Sequence, residues 1–245
     1  MRQNLSALLN LATFIYQVFV AAVMGVSLVP GLLLVQAAAE TDSVLLIAIA
    51  MGVGYFAFGI TFMALIVIIK RVTRFKSRPG DYPFVSGYAM HWAMIGALVG
   101  LAKVVILHHI LGMPVLNLFY RLMGAKIGKN VMINTCNMFD FDLLTIGDGA
   151  MLGGDCVVIG HVGEGGMLRL RPIVIGPRCT VGQSSIIFPG AVMEEGSVLG
   201  ALSLLPKDRR LPAGTRWGGN PLAELPRPGH HDAPAGPGAS GPPHA

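Results

Sequence analysis

The chain has 245 residues, 53% apolar and only 13% charged, with a formal net charge of +5 and a mean hydropathy of +0.63. A soluble domain of this size carries about 25% charged residues, so the balance excludes an ordinary water-soluble globular protein and intrinsic disorder alike. The 32 glycines stand among Ile, Val and Leu, which points to a regular glycine-rich fold beside a membrane part.

Gln3 to Ala39 carries no charge, and a second charge-free run extends from Ser43 to Ile69. Each exceeds the roughly 20 residues that a helix needs to cross the hydrocarbon core. Pro30 stands near the end of the first run, where a kink is tolerated. The rival reading of that run is a signal peptide, because Ala37, Ala38 and Ala39 imitate a cleavage site. The apolar stretch is far longer than the usual h-region of about 7–15 residues, which favours an uncleaved hairpin over 1–80. Its loop holds Glu40 and Asp42, whereas Lys70, Arg71, Arg74, Lys76 and Arg78 crowd just past the second span. The positive-inside rule then predicts a multi-pass cell (inner) membrane protein with both ends of the hairpin cytoplasmic. The basic block reads as juxtamembrane, facing the lipid bilayer rather than nucleic acid.

The third apolar stretch, 81–123, is interrupted by His91, Lys103, His108, His109, Pro114 and Arg121. It is either a third span or a set of interfacial or re-entrant helices. Lys103 inside lipid is costly, and at an interface it snorkels almost freely, so interfacial helices are expected.

From Ile127 an aliphatic residue returns at every sixth position, most regularly through Ile175, Val181, Ile187, Met193, Leu199 and Leu205. This period fits neither a helix nor an ordinary alternating strand, and predicts short strands stacked as coils of a solenoid over 124–225. Small residues hold the fifth hexad position: Ala150, Cys156, Cys179, Ser185, Ala191, Ser197 and Ser203. The cysteines, Cys136 included, lack ligand or CxxC spacing, so buried reduced thiols are expected, with no disulfide and no metal. Asp148 and Asp155 fall at turn positions and read as structural. The segment 226–245 has six Pro and four Gly from Pro226 onward and reads as a disordered tail, with His230 and His231 incidental.

The hexads, written aliphatic-Gly-x-x-small-x, resemble those of the hexapeptide-repeat acyltransferases. That resemblance implies a left-handed parallel β-helix and a homotrimer. The segments Leu118 to Gly128, Phe139 to Leu143 and Ala201 to Leu205 also resemble the membrane-embedded terminal domain of poly-ε-lysine synthetase-like nonribosomal peptide synthetases. In that family such membrane-plus-β-helix units are implicated in joining amino acids.

The ladder breaks at Thr135 to Leu144, which holds Asp140 and Asp142, and at Gly160 to Ile173, an extruded loop. Loops pushed from a rigid solenoid are natural sites. The resemblance implies that the loop histidine, His161, is a general base, a role its ordinary pKa near 6.5 suits. Asp140 or Asp142 is then a candidate to orient it or bind an amine, although both also fit a strand with solvated carboxylates. Glu164 and Arg169 on the loop are candidate substrate-binding residues. Lys207, Arg209, Arg210 and Arg216 are candidates for the phosphates of a thioester donor, or a solvated cationic turn. Trp217 either covers the pantetheine or plugs the last coil.

The expected function is acyl or aminoacyl transfer from acyl-CoA or a phosphopantetheine thioester to an amine or hydroxyl, with no tightly bound cofactor. Two alternatives stand beside it. One is an amide-bond-forming module for a separately encoded nonribosomal peptide system. The other is a non-catalytic trimeric scaffold docking a carrier protein or synthetase.

Overall fold

A computed structural model of the chain describes residues 2–226; the proposed Pro/Gly tail beyond Pro226 lies outside the described residues. Helices α1 (Arg2–Ala39) and α2 (Val44–Val72) form an antiparallel hairpin. Ser43 starts α2 by accepting the Leu46 N–H, leaving the acidic loop at the far end from the solenoid. At the near end, the buried Lys70 ammonium pairs with Asp142 at 2.8 Å and donates to the Met123 carbonyl. A basic residue that the sequence grouped with the membrane flank is therefore a structural tie to the first break of the ladder.

Strand β1 (Gly80–Pro83) follows, and Ser86 then caps α3 (Gly87–Val105). After a short 3-10 turn, Leu107–Ile110, comes α4 (Pro114–Leu122), started by its proline. Leu116, Phe119 and Tyr120 on its buried face close the base of the solenoid and join α2 and α3 in one apolar core. The stretch expected to hold interfacial or re-entrant helices thus contains one continuous 19-residue helix followed by two short ones. Three helical segments, Thr13–Ala39, Val44–Val72 and Gly87–Val105, are long and apolar enough to cross a membrane. Both ends of α3 are nevertheless fastened to the solenoid. Before it, β1 pairs with a solenoid hairpin; after it, the Gly112 N–H bonds the Ile133 carbonyl at 2.8 Å.

The solenoid is a three-walled stack of parallel strands. One wall holds β2 (Lys126–Ile127), β4 (Leu144–Ile146), β9 (Ile173–Ile175), β12 (Val192–Met193) and β15 (Arg210–Leu211). The second holds β3 (Met132–Ile133), β5 (Met151–Leu152), β10 (Thr180–Val181), β13 (Val198–Leu199) and β16 (Arg216–Gly218), with β17 (Ala223–Glu224) folded back on its edge. The third holds β6 (Val157–Val158), β11 (Ile186–Ile187) and β14 (Leu204–Leu205). Each turn consumes three hexads, so Ile175, Met193 and Leu211 stack in register, as do Val181 with Leu199 and Ile187 with Leu205. All seven small fifth-position residues are buried. The three cysteines are buried free thiols, and burial pushes Cys156 up to about 12, which keeps it an unreactive packing residue.

The second break is ordered rather than irregular. It is a β-hairpin of β7 (His161–Glu164) and β8 (Met167–Leu170), with β1 added on the outer edge of β8. Gly165 and Gly166 both have positive φ, the backbone a two-residue hairpin turn demands.

Candidate active site

The two breaks meet. Asp140 sits at a left-handed backbone position (φ 57°, ψ 47°), and its carbonyl accepts the Leu143 N–H at 2.8 Å to start a one-turn 3-10 segment. This turn sends the carboxylate inward, toward the start of β7. Gly160 makes room for it: a Cβ there would stand 2.9 Å from the Cβ of Asp140. His161 follows at once, and its Nδ1 lies 2.6 Å from Asp140 Oδ2. The other carboxylate oxygen accepts the indole N–H of Trp92, on α3, at 2.7 Å.

The carboxylate is 1% exposed, whereas the imidazole is 24% exposed. Trp92 and Phe139 stand edge-on to the imidazole, with ring centroids 4.7 and 5.8 Å away. With Nδ1–H donated to Asp140, the neutral ring carries its lone pair on Nε2, which makes no hydrogen bond among the described residues. Behind the dyad a cavity of about 50 Å³ is lined by Asp140, Asp142, Trp92, Gly96 and Met138. It has room for a water or two and none for a substrate.

The remaining candidates separate. Asp142 does not bond His161; it holds Lys70 at 2.8 Å and the Ser77 N–H at 2.9 Å, an anchoring role. Glu164 lies between Lys207, which donates to it, and Arg169 at 3.9 Å; the Lys207 ammonium holds its carboxyl below the usual range. The cationic set does not form one phosphate cradle. Arg210 pairs with Glu194 at 2.6 Å, Arg209 lies over Trp217 at 5.1 Å, and Arg216 keeps a buried Nε without a partner. Trp217 continues the column of Leu199 and bonds Thr215 Oγ1, the position of an end plug. Trp92 escaped the sequence reading. Its one signal was an indole N–H in an apolar helix, which when buried must find an acceptor.

No protein-family model matches the chain. It is similar to the delta-poly-L-ornithine synthetase of Acinetobacter baumannii (strain AB307-0294), 26% identical over 176 residues, 71% of this chain and 13% of that protein. The chain therefore spans a small fraction of that relative's length. It is 32% identical over 130 residues to the putative colanic acid biosynthesis acetyltransferase WcaF of Escherichia coli (strain K12), covering 43% of this chain and 70% of that protein. The chain belongs to the hexapeptide-repeat acyltransferases. A crystal structure of a maltose O-acetyltransferase from Clostridium difficile 630 is 18% identical with a TM-score of 0.46, covering 60% of this chain and 91% of that one. That match covers 43% of this chain, so this hexapeptide-repeat acyltransferase carries substantial sequence outside it.

Proposed function

We propose that this chain is a membrane-anchored acyltransferase with its solenoid on the cytoplasmic face and His161 as general base. It moves an acyl or aminoacyl group from a thioester, coenzyme A or the phosphopantetheine of a carrier protein, to an amine or hydroxyl. The observation that carries the reading is the 2.6 Å bond from His161 Nδ1 to a fully buried Asp140, which leaves Nε2 on the open edge.

In the reaction the acceptor nitrogen attacks the thioester carbonyl carbon, a C–N bond forms, and the C–S bond breaks. The amine proton passes to His161 Nε2 and then to the departing thiolate. Asp140 holds the tautomer and stabilises the imidazolium, and Trp92 fixes the second carboxylate oxygen. Of the terminal cations, Arg209 and Arg216 have no acid partner among the described residues and remain for the donor's phosphates.

Two features support the anchoring and its orientation. The Lys70–Asp142 pair keeps the basic block on the solenoid's side of the hairpin. Attachment of both ends of α3 to the solenoid supports a helix lying in the interface rather than a third crossing. A homotrimer, with the donor in the groove between solenoids, completes the reading. Similarity to an ornithine-polymer synthetase favours an amino-acid acceptor and amide-bond formation, with a loaded carrier as donor. Turnover by the purified full chain, with acetyl-CoA and with an aminoacylated carrier, tests it: His161→Ala abolishes transfer in a folded protein. Undiminished transfer overturns the assignment.

A further inference from the structure

Arg71 is the member of the Lys70–Arg71 pair that the tie to the solenoid leaves over. Lys70 points inward to Asp142 and the Met123 carbonyl, and the next residue stands about 100° further round α2. The Arg71 guanidinium is exposed and has neither a hydrogen bond nor a carboxylate partner among the described residues. It closes one end of a groove of about 370 Å³ between α2 and α4. Ile60, Ala64 and Ile68 form the α2 wall at helical spacing, and Leu118 and Leu122 belong to the α4 wall. Because Lys70 bonds the carbonyl of Met123, just past α4, both helices end at the Arg71 end of the groove. From Ile60 to Arg71 the wall runs roughly 16 Å. Ile60, Ile68, Leu118 and Leu122 are between 40% and 55% exposed, although Leu116 and Tyr120 on the other side of α4 are fully buried. An apolar channel with an unpaired cation at its mouth fits an amphiphile with a hydrocarbon chain and an anionic head. It opens beside a helix apolar enough to cross a membrane, and the leaflet on the basic side is the source at hand.

We propose that the α2–α4 groove is a binding site for an anionic phospholipid, with one acyl chain along residues 60–68 and the phosphate on Arg71. The inference rests on the membrane anchoring proposed above and adds a specific lipid to it. The bound lipid wedges α4, whose other face closes the base of the solenoid, against the membrane hairpin. Ala64 keeps the channel open, and a large side chain there fills it.

Native mass spectrometry of the full chain, released from nanodiscs of phosphatidylglycerol and phosphatidylcholine in equal parts, tests this. The wild type retains phosphatidylglycerol about fivefold over phosphatidylcholine, the share one arginine supplies beside anionic headgroups. Arg71→Leu erases that preference, and Arg71→Lys keeps it. Arg74→Leu, in the same basic block but outside the groove, keeps it as well. Ala64→Phe loses retained lipid while its circular dichroism stays that of the wild type. Equal retention of the two lipids by the wild type means annular lipid only and overturns the proposal. Equal losses in Arg71→Leu and Arg74→Leu also overturn it, and assign the preference to the basic block as a whole. A disulfide between two Leu118→Cys copies overturns it too, and makes the groove an interface between copies. Carbonate extraction separates this failure from that of the anchoring. A chain that stays in the membrane pellet without a lipid preference sinks the lipid site alone, whereas one released to the supernatant sinks both.

Discussion

Lys70 and Asp142 form a 2.8 Å ion pair, with side chains 9% and 7% exposed, between the last turn of a membrane-type helix and the first break of the solenoid. Asp142 also accepts the Ser77 N–H, and Lys70 also donates to the Met123 carbonyl, so both charges are desolvated and satisfied. Removing one partner strands the other. Lys70→Met or Asp142→Asn is expected to destabilise the protein by about 3–5 kcal/mol, and the Lys70→Met/Asp142→Leu double variant to recover much of that loss. Thermal unfolding in detergent reads both effects.

Asp140→Asn leaves the volume in place but lets an amide donate to Nδ1 and select the wrong tautomer. Transfer should fall on the order of 10²–10⁴-fold with the unfolding midpoint little changed. Trp92→Phe removes one hydrogen bond to a carboxylate, worth about 1.5 kcal/mol, so a roughly tenfold loss is expected. Single-turnover rates distinguish the two. Equal losses would sink the ranking of these roles.

Gly160→Ala tests whether the packing that seats the dyad matters for chemistry. Its new Cβ meets Asp140 Cβ at 2.9 Å in a chain segment braced on both sides. The carboxylate must shift, and turnover should drop more than tenfold while the solenoid melts within a few degrees of wild type. A folded variant with normal turnover would argue that the Asp140 position is irrelevant.

Glu164 ties the His161 hairpin to the terminal cations through Lys207, and the tie is pH-sensitive. Its carboxyl is held below its ordinary value of 4.5, first by the hydrogen bond from Lys207. A depressed folded pKa stabilises the folded state above the unfolded pKa, and that contribution disappears as pH falls through the lower folded value. Amide exchange in residues 161–170, corrected for intrinsic rate, should therefore be protected near neutrality and accelerate below pH 4.5, with Lys207→Met showing the fast rate throughout.

Orientation is read by a reporter thiol. Pro206→Cys in a Cys-free background should resist an impermeant maleimide in intact cells and label after lysis. Labelling before lysis places the solenoid outside, and coenzyme A would have to give way to an exported or lipid-linked donor.

The period-six ladder was legible in the sequence because each hexad buries one aliphatic and one small residue, a local requirement repeated coil after coil. The two breaks were legible for the same reason, as places where the repeat stops. The hairpin was legible from its charge-free length. What the sequence left open was which of two carboxylates, separated by a single residue, faces the histidine. That was decided by a left-handed turn at Asp140, which directs one acid to His161 and leaves the other for Lys70. Trp92 was invisible as a partner of Asp140, since the two meet only when α3 lies along the solenoid's first coil. Periodicity specifies what each residue needs from its near neighbours. Contacts between residues such as Trp92 and Asp140 depend on how helix and solenoid dock, and only the tertiary structure supplies that.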